Sequence, residues 1–277
     1  MKRDDAREAS TLTHSNRRSH LNERGQVTLF IIIALAIVAI AILIFVFYPQ
    51  LETRFGTSVE DPMSFMQECL EDDFADAVEL ISLQGGSIKP TNFIMYDDSK
   101  IDYLCYSGDY YSGCTMQKPL LQQHIESEIL NYLNARVDEC FSNLEENYRN
   151  KGFSVTLNEG NKDMELLPRK IVATFGHELI LKKGESQTYK IFRIVLNNNL
   201  YELSSIAMSI LNMEAEYGDV EITEYMNFYH DLKVEKFKQT DGSTIYVLTE
   251  LDTGDKFQFA SRSYAFPSGY GLSQYIE

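Results

Sequence analysis

The chain has 277 residues, 44% of them hydrophobic and 12% aromatic, with 17 Tyr, 16 Phe and no Trp. That content excludes a disordered tail and, beyond the first 50 or so residues, fits one medium domain or two small ones. The net charge of −16 is unevenly placed: Lys2, Arg3, Arg7, Arg17, Arg18 and Arg24 outweigh four acids in residues 1–25 by two charges, leaving −18 on the remainder, a balance that repels phosphate backbones and excludes nucleic acid as an expected partner.

The first expected element is apolar on every face. Residues 27–48 read VTLFIIIALAIVAIAILIFVFY without one charge, and at ~1.5 Å per residue they span ~33 Å, the hydrocarbon thickness of a bilayer. A secretory signal peptide has a shorter apolar stretch and a small-residue cleavage site, which is missing here. A single transmembrane helix near Val27–Tyr48 is therefore expected, with the lipid bilayer as partner. Six basic residues precede it and only Arg54 follows closely, so residues 1–25 are expected in the cytoplasm as a basic tail or leader. Residues 26–50 then form the membrane segment, and residues 51–277 an extracytoplasmic domain. Ala34, Ala36, Ala39 and Ala41 are never four apart, so the close-packing signature of paired membrane helices is absent and the segment reads as an anchor.

Arg24-Gly25-Gln26, directly abutting the apolar run, resembles the leader of archaeal type IV pilin-like proteins with class III signal peptides. The resemblance implies cleavage between Gly25 and Gln26 on the cytoplasmic side, with the apolar segment serving as anchor and filament core. The fifth position after that cut is Phe30, where filament-forming members carry a Glu that pairs with a neighbour's N-terminus; a phenyl ring cannot do this, which argues against assembly into a filament. Read without the resemblance, Gly25 and Gln26 simply mark the start of an anchor helix. Further along, CLEDDFADAVELISLQGG, CYSGDYYSGC, PLLQQHIESEILNYL and DKFQFASRSYAFPSGYG are similar to uncharacterised surface proteins of small-genome archaea, a resemblance that implies no activity.

Beyond the anchor, Asp61-Pro62 starts a helix in which Met66, Cys69, Leu70, Phe74, Ala77, Val78 and Ile81 share one face and Glu68, Glu71, Asp72, Asp76 and Glu79 the other; Gly85-Gly86 ends it. A tyrosine-rich excursion, Ser87 to Lys118, leads to a second helix from near Pro119 to about Asn150, striped by Leu121, Ile125, Ile129, Leu133, Val137, Cys140, Phe141 and Leu144. Alternation then predicts strands over Phe153–Leu157, Met164–Leu167, Lys170–Phe175, Glu178–Leu181 and Thr188–Leu196. A helix over Leu200–Tyr217 follows, then strands Lys233–Phe237, Thr244–Leu251 and Lys256–Ala260 with turns at Asp241-Gly242 and Thr253-Gly254. The expected fold class is α+β, an N-terminal transmembrane helix followed by an extracytoplasmic domain of long helices packed on an antiparallel sheet.

All four cysteines follow the apolar segment, where an extracytoplasmic domain is oxidised. Cys105 and Cys114 bracket a Gly/Ser-rich turn that can bring them within bonding distance, leaving Cys69 to clamp to Cys140 across the two long helices. No Cys-x-x-Cys occurs, so zinc is disfavoured; were the orientation reversed, Cys69 and Cys140 would be free and buried.

Nothing in the sequence assembles a catalytic motif, and no cofactor, metal or catalytic residue is expected. His124, His177 and His230 lack a partner at ligand spacing, no Gly-x-Ser-x-Gly elbow appears, and the acids of the first long helix form a solvated face. The candidate recognition residues are Tyr103, Tyr106, Tyr110, Tyr111, Tyr264 and Tyr270, because rings in Gly/Ser loops give contact area at low entropic cost; alternatively these rings cover the sheet. The expected function is a non-enzymatic, membrane-anchored cell-surface protein with a structural or recognition role, its partners other surface proteins or copies of itself. The alternatives are a pilin-like filament subunit and a membrane-anchored hydrolase with a site spread across loops.

Overall fold

The computed structural model describes residues 32–38, 61–109 and 112–263. The chain divides into two units, Met1–Val59 and Glu60–Glu277. Of the first, residues 32–38 are helical, with Ile32, Ile33, Leu35, Ile37 and Val38 exposed.

The second unit begins with α1 (Pro62–Leu83). Its proline fits the first turn, where the missing N–H has no intrahelical acceptor anyway. Met66, Leu70, Phe74, Ala77, Val78 and Ile81 are buried along one side. The helix ends at Gly85 and Gly86, both at positive φ. A Cβ on Gly85 would also lie 3.0 Å from the Asp102 Cβ, so only glycine allows the chain to leave the helix this close to the sheet.

The second long helix, α2 (Leu121–Asn150), buries Ile125, Ile129, Leu133, Val137, Cys140, Phe141, Leu144 and Tyr148 and packs against α1. Cys69 is bridged to Cys140 with their Cα atoms 6.0 Å apart, and Cys105 to Cys114 at 5.3 Å, the pairing that the sequence leads one to expect.

The segment between the helices is not a loop excursion. It holds β1 (Phe93–Tyr96), β2 (Ser99–Tyr106) and β3 (Thr115–Met116). β1 and β3 share one edge of β2, while the other edge pairs parallel with the last strand, β12 (Lys256–Arg262). Antiparallel β11 (Ser243–Glu250) and β10 (Leu232–Lys238) complete a six-stranded mixed sheet. As a central strand β2 is covered on both faces, which explains why Ile101–Cys105 is buried throughout and shows no alternation.

The middle of the chain forms two small antiparallel sheets. β4 (Ser154–Asn158), β7 (Glu178–Lys183) and β8 (Glu185–Tyr189) form one; β5 (Lys162–Leu167), β6 (Lys170–Phe175) and β9 (Phe192–Leu196) form the other. The single strand expected over Thr188–Leu196 is thus two strands belonging to different sheets. α2 lies against β4 and β5, and α1 against β9 and β12. α3 (Leu200–Tyr217) bridges the mixed sheet and β6, followed by the short α4 (Thr223–Phe228), which the sequence does not announce.

The expected fold class therefore needs two corrections. One antiparallel sheet is replaced by three sheets, one of them mixed, because the parallel β2–β12 pairing joins Tyr103 to Ala260 and Tyr106 to Arg262, far apart along the chain, and no local periodicity encodes it. The transmembrane helix is the second. No helix among the described residues is long and apolar enough to cross a membrane. Residues 32–38 are helical, and the rest of the expected 26–50 segment lies outside the described residues.

The turns β4–β5 and β6–β7 touch. A Cβ on Gly160 would fall 1.9 Å from the Gly176 carbonyl oxygen, and the Gly176 N–H donates to the Asn161 carbonyl at 2.7 Å. The Cys69–Cys140 bridge closes 71 residues of chain, enough to disfavour the unfolded ensemble by about 4 kcal/mol on the chain-entropy account. Replacing both with serine should lower unfolding stability by that order in urea titrations, with the far-ultraviolet dichroism of the native state unchanged.

Candidate functional site

Two cavities, of about 500 and 490 Å³, share the wall Asn197, Asn198, Thr253 and Asp255. The larger is bounded by α1 through Ala75, Val78, Glu79, Ser82 and Leu83 and by Leu196 and Lys256; the smaller reaches Arg169. Together they make a groove where the end of β9, the β11–β12 turn and α1 converge.

The groove wall is stiff. The Asp255 carboxylate accepts from the Asn199 backbone N–H at 2.9 Å, from the Asn199 and Asn198 side-chain amides at 3.0 and 2.9 Å, and from Thr253 Oγ1 at 2.9 Å. Asn198 Oδ1 in turn accepts the Leu200 N–H at 2.9 Å. Asp255, from a distant turn, and Asn198 thus each take one of the free N–H groups at the start of α3. On the far side Arg169 holds a left-handed conformation, φ 62°, that only glycine and a few polar residues adopt cheaply. Its N–H donates to Glu202 Oε1 at 3.0 Å and its carbonyl accepts from the Asn198 N–H at 3.3 Å, so α3 and the groove wall fix it there. Below the turn, burial and then Asp231, Asp252, Asp255 and Glu202 hold the Glu250 carboxyl above its ordinary pKa.

A second polar cluster lies where the α1–β1 loop meets α2. Ser87 Oγ donates to Asp102 Oδ2 at 2.9 Å and lies 2.9 Å from His124 Nε2; the Lys118 ammonium contacts both Ser87 and Asp102. The Ile88 N–H donates to Glu128 Oε2 at 2.8 Å. Ser87 and Asp102 are each 3% exposed. With its one proton given to Asp102, Ser87 accepts from Lys118 and, when neutral His124 is the Nε2–H tautomer, from that N–H, which fills its capacity. A hydrolytic serine needs its proton on the histidine and the carboxylate on the other ring nitrogen; here the carboxylate holds the serine itself. The arrangement fastens a loop.

The expected site residues scatter. Tyr103 is buried, its hydroxyl 2.8 Å from Ser243 Oγ, and burial raises its pKa. It therefore covers the sheet and offers no recognition surface. Tyr106 is half-buried, in edge contact with Tyr103 at 5.1 Å, with the Arg262 guanidinium 5.6 Å from its ring. Gly25, Gln26, Tyr110, Tyr111, Tyr264 and Tyr270 lie outside the described residues. The three outer histidines have separate surroundings: His124 on Ser87, His177 buried and stacked on Phe141 at 4.1 Å, and His230 exposed. The polar cleft with convergent histidines that a hydrolase calls for is not found among the described residues. The groove was missed because Asn197-Asn198-Asn199 and Thr253-Gly254-Asp255 read as turn punctuation; the one available signal was the run of three asparagines ahead of a helix.

Comparison with models of protein families finds no match, and comparisons with curated proteins and with solved structures likewise return none.

Ser87→Ala should cost about 1–3 kcal/mol of stability by depriving buried Asp102 of a donor, and a fluorophosphonate probe should leave Ser87 of the native chain unmodified. The pH dependence has two opposing parts. Burial, then Lys118 for His124 and Lys162 for His177, lowers both imidazole pKa values, so their neutral forms stabilise the fold above about 6.5 and that contribution is lost as the pH falls. Buried Glu214, which accepts the Tyr246 hydroxyl, has its pKa raised by burial, so its contribution is present at acid pH and lost as the pH rises through the folded value. Thermal melts from pH 8 to 5 should therefore show a steeper acid loss for Glu214→Gln than for the parent chain.

Proposed function

We propose that this chain is a non-enzymatic recognition protein of the cell surface, tethered to a lipid bilayer through its apolar N-terminal segment, whose disulfide-braced α+β unit works outside the cytoplasm. The observation that carries this reading is the state of the cysteines: among the described residues all four are bridged and none is free. Bridges of this kind persist in oxidising compartments and are rare where glutathione keeps thiols reduced. Both brace structure: one joins the long helices of the core, the other holds β3 to β2 in the mixed sheet.

The recognition role draws on the groove. It combines fixed polar groups with an aliphatic wall, the usual make-up of a binding site. The acidic surface opposes close approach of other acidic molecules and keeps the unit in solution.

External protease added to intact cells making the full chain should digest the 60–277 unit, and a membrane-impermeant maleimide should find no thiol unless reductant is added. A unit protected until the cells are lysed, or four cysteines alkylated without reductant, would sink the reading.

A further inference from the structure

An edge strand presents unpaired N–H and C=O groups at every second residue on its free side. β9 is such an edge: β6 pairs with one side, and the other faces α1. Much of that free side is closed by side chains. The Val195 N–H donates to Gln67 Oε1 at 3.2 Å and its carbonyl accepts from Gln67 Nε2 at 3.3 Å, so a single carboxamide from α1 imitates the next strand. The Arg193 N–H points to Met63 Sδ at 3.3 Å.

The alternation that turns 193 and 195 outward turns 197 outward too, while Asn198 faces back, donating to the Arg169 carbonyl. Asn197 is the first outward position that α1 leaves uncovered. It is exposed, neither its main chain nor its side chain has a hydrogen-bond partner among the described residues, and it stands in the wall common to both cavities. Opposite it lie Ala75, Val78 and Leu83 of α1, and Leu196 adjoins it.

We propose that the groove binds an extended peptide, whose main chain continues the edge pairing of β9 at Asn197 and whose aliphatic side chain rests against Ala75, Leu83 and Leu196. An outward N–H and C=O beside a free carboxamide match the donor and acceptor of a peptide unit. No lining residue offers an aromatic ring on which the apolar face of a sugar could stack. The inference rests on the recognition reading above and names the class of its ligand.

The test selects linear heptapeptides displayed on phage against the purified full chain in detergent, then measures the synthetic winners by fluorescence anisotropy. Ala75→Arg places a long side chain in the groove from an exposed helix position, and Asn197→Pro removes the outward N–H; unchanged melting temperatures establish that both variants fold. The expected result is a saturable complex weakened about tenfold or more by either substitution, the loss of one or two hydrogen bonds or of the aliphatic contact. Failure to enrich any peptide, or equal affinity for the parent and Ala75→Arg, overturns the proposal. Screening the same protein on an oligosaccharide array separates the two levels: glycan binding that Ala75→Arg abolishes removes the peptide and keeps the recognition groove, whereas no binding to either probe removes both.

Discussion

The seam between α1 and α2 organises the second unit. The two helices pack through part of their apolar stripes, and Cys69, half-buried, with Cys140 converts an adjacency into a covalent joint. Everything else is arranged around the pair. α2 covers β4 and β5, α1 covers β9 and lies on β12, and α3 joins β5 and β6 to the mixed sheet. Burial of the facing side chains supplies the attraction, and the bridge restricts the alternatives open to the unfolded chain.

Placing α1 on the edge of β9 has a second effect. An edge strand unprotected by charge, proline or a bulge invites another chain to pair with it. Gln67 answers this by spending both ends of its amide on Val195, and Met63 covers Arg193. The cover is incomplete at Asn197, where the strand leaves the sheet to begin α3. The groove there is thus a consequence of the geometry by which one helix lies across a strand that outruns its protection. Its rigidity comes from Asp255, a side chain from the last hairpin that caps α3.

The polar interior follows a different logic from a catalytic centre. Ser87, Asp102, Lys118 and His124 bond to one another at the junction of loop, strand and helix. Glu214 and Tyr246 do the same between α3 and the mixed sheet. Groups buried in this way are costly when unpaired, so each network specifies how the elements meet.

The three long helices of the second unit, their buried faces, most strands, the two turns at Asp241-Gly242 and Thr253-Gly254, and the cysteine pairing were legible in the sequence. These are local matters of period, turn chemistry and spacing, or follow from knowing which helical stripe a cysteine occupies. Tertiary structure alone decided that β2 lies at the centre of a mixed sheet beside β12, that residues 185–196 divide between two sheets, that Tyr103 is interior, and that Asn197 and Asp255 share a wall. Each of these depends on a partner far along the chain, and a residue's own neighbourhood carries no trace of the surface that will cover it.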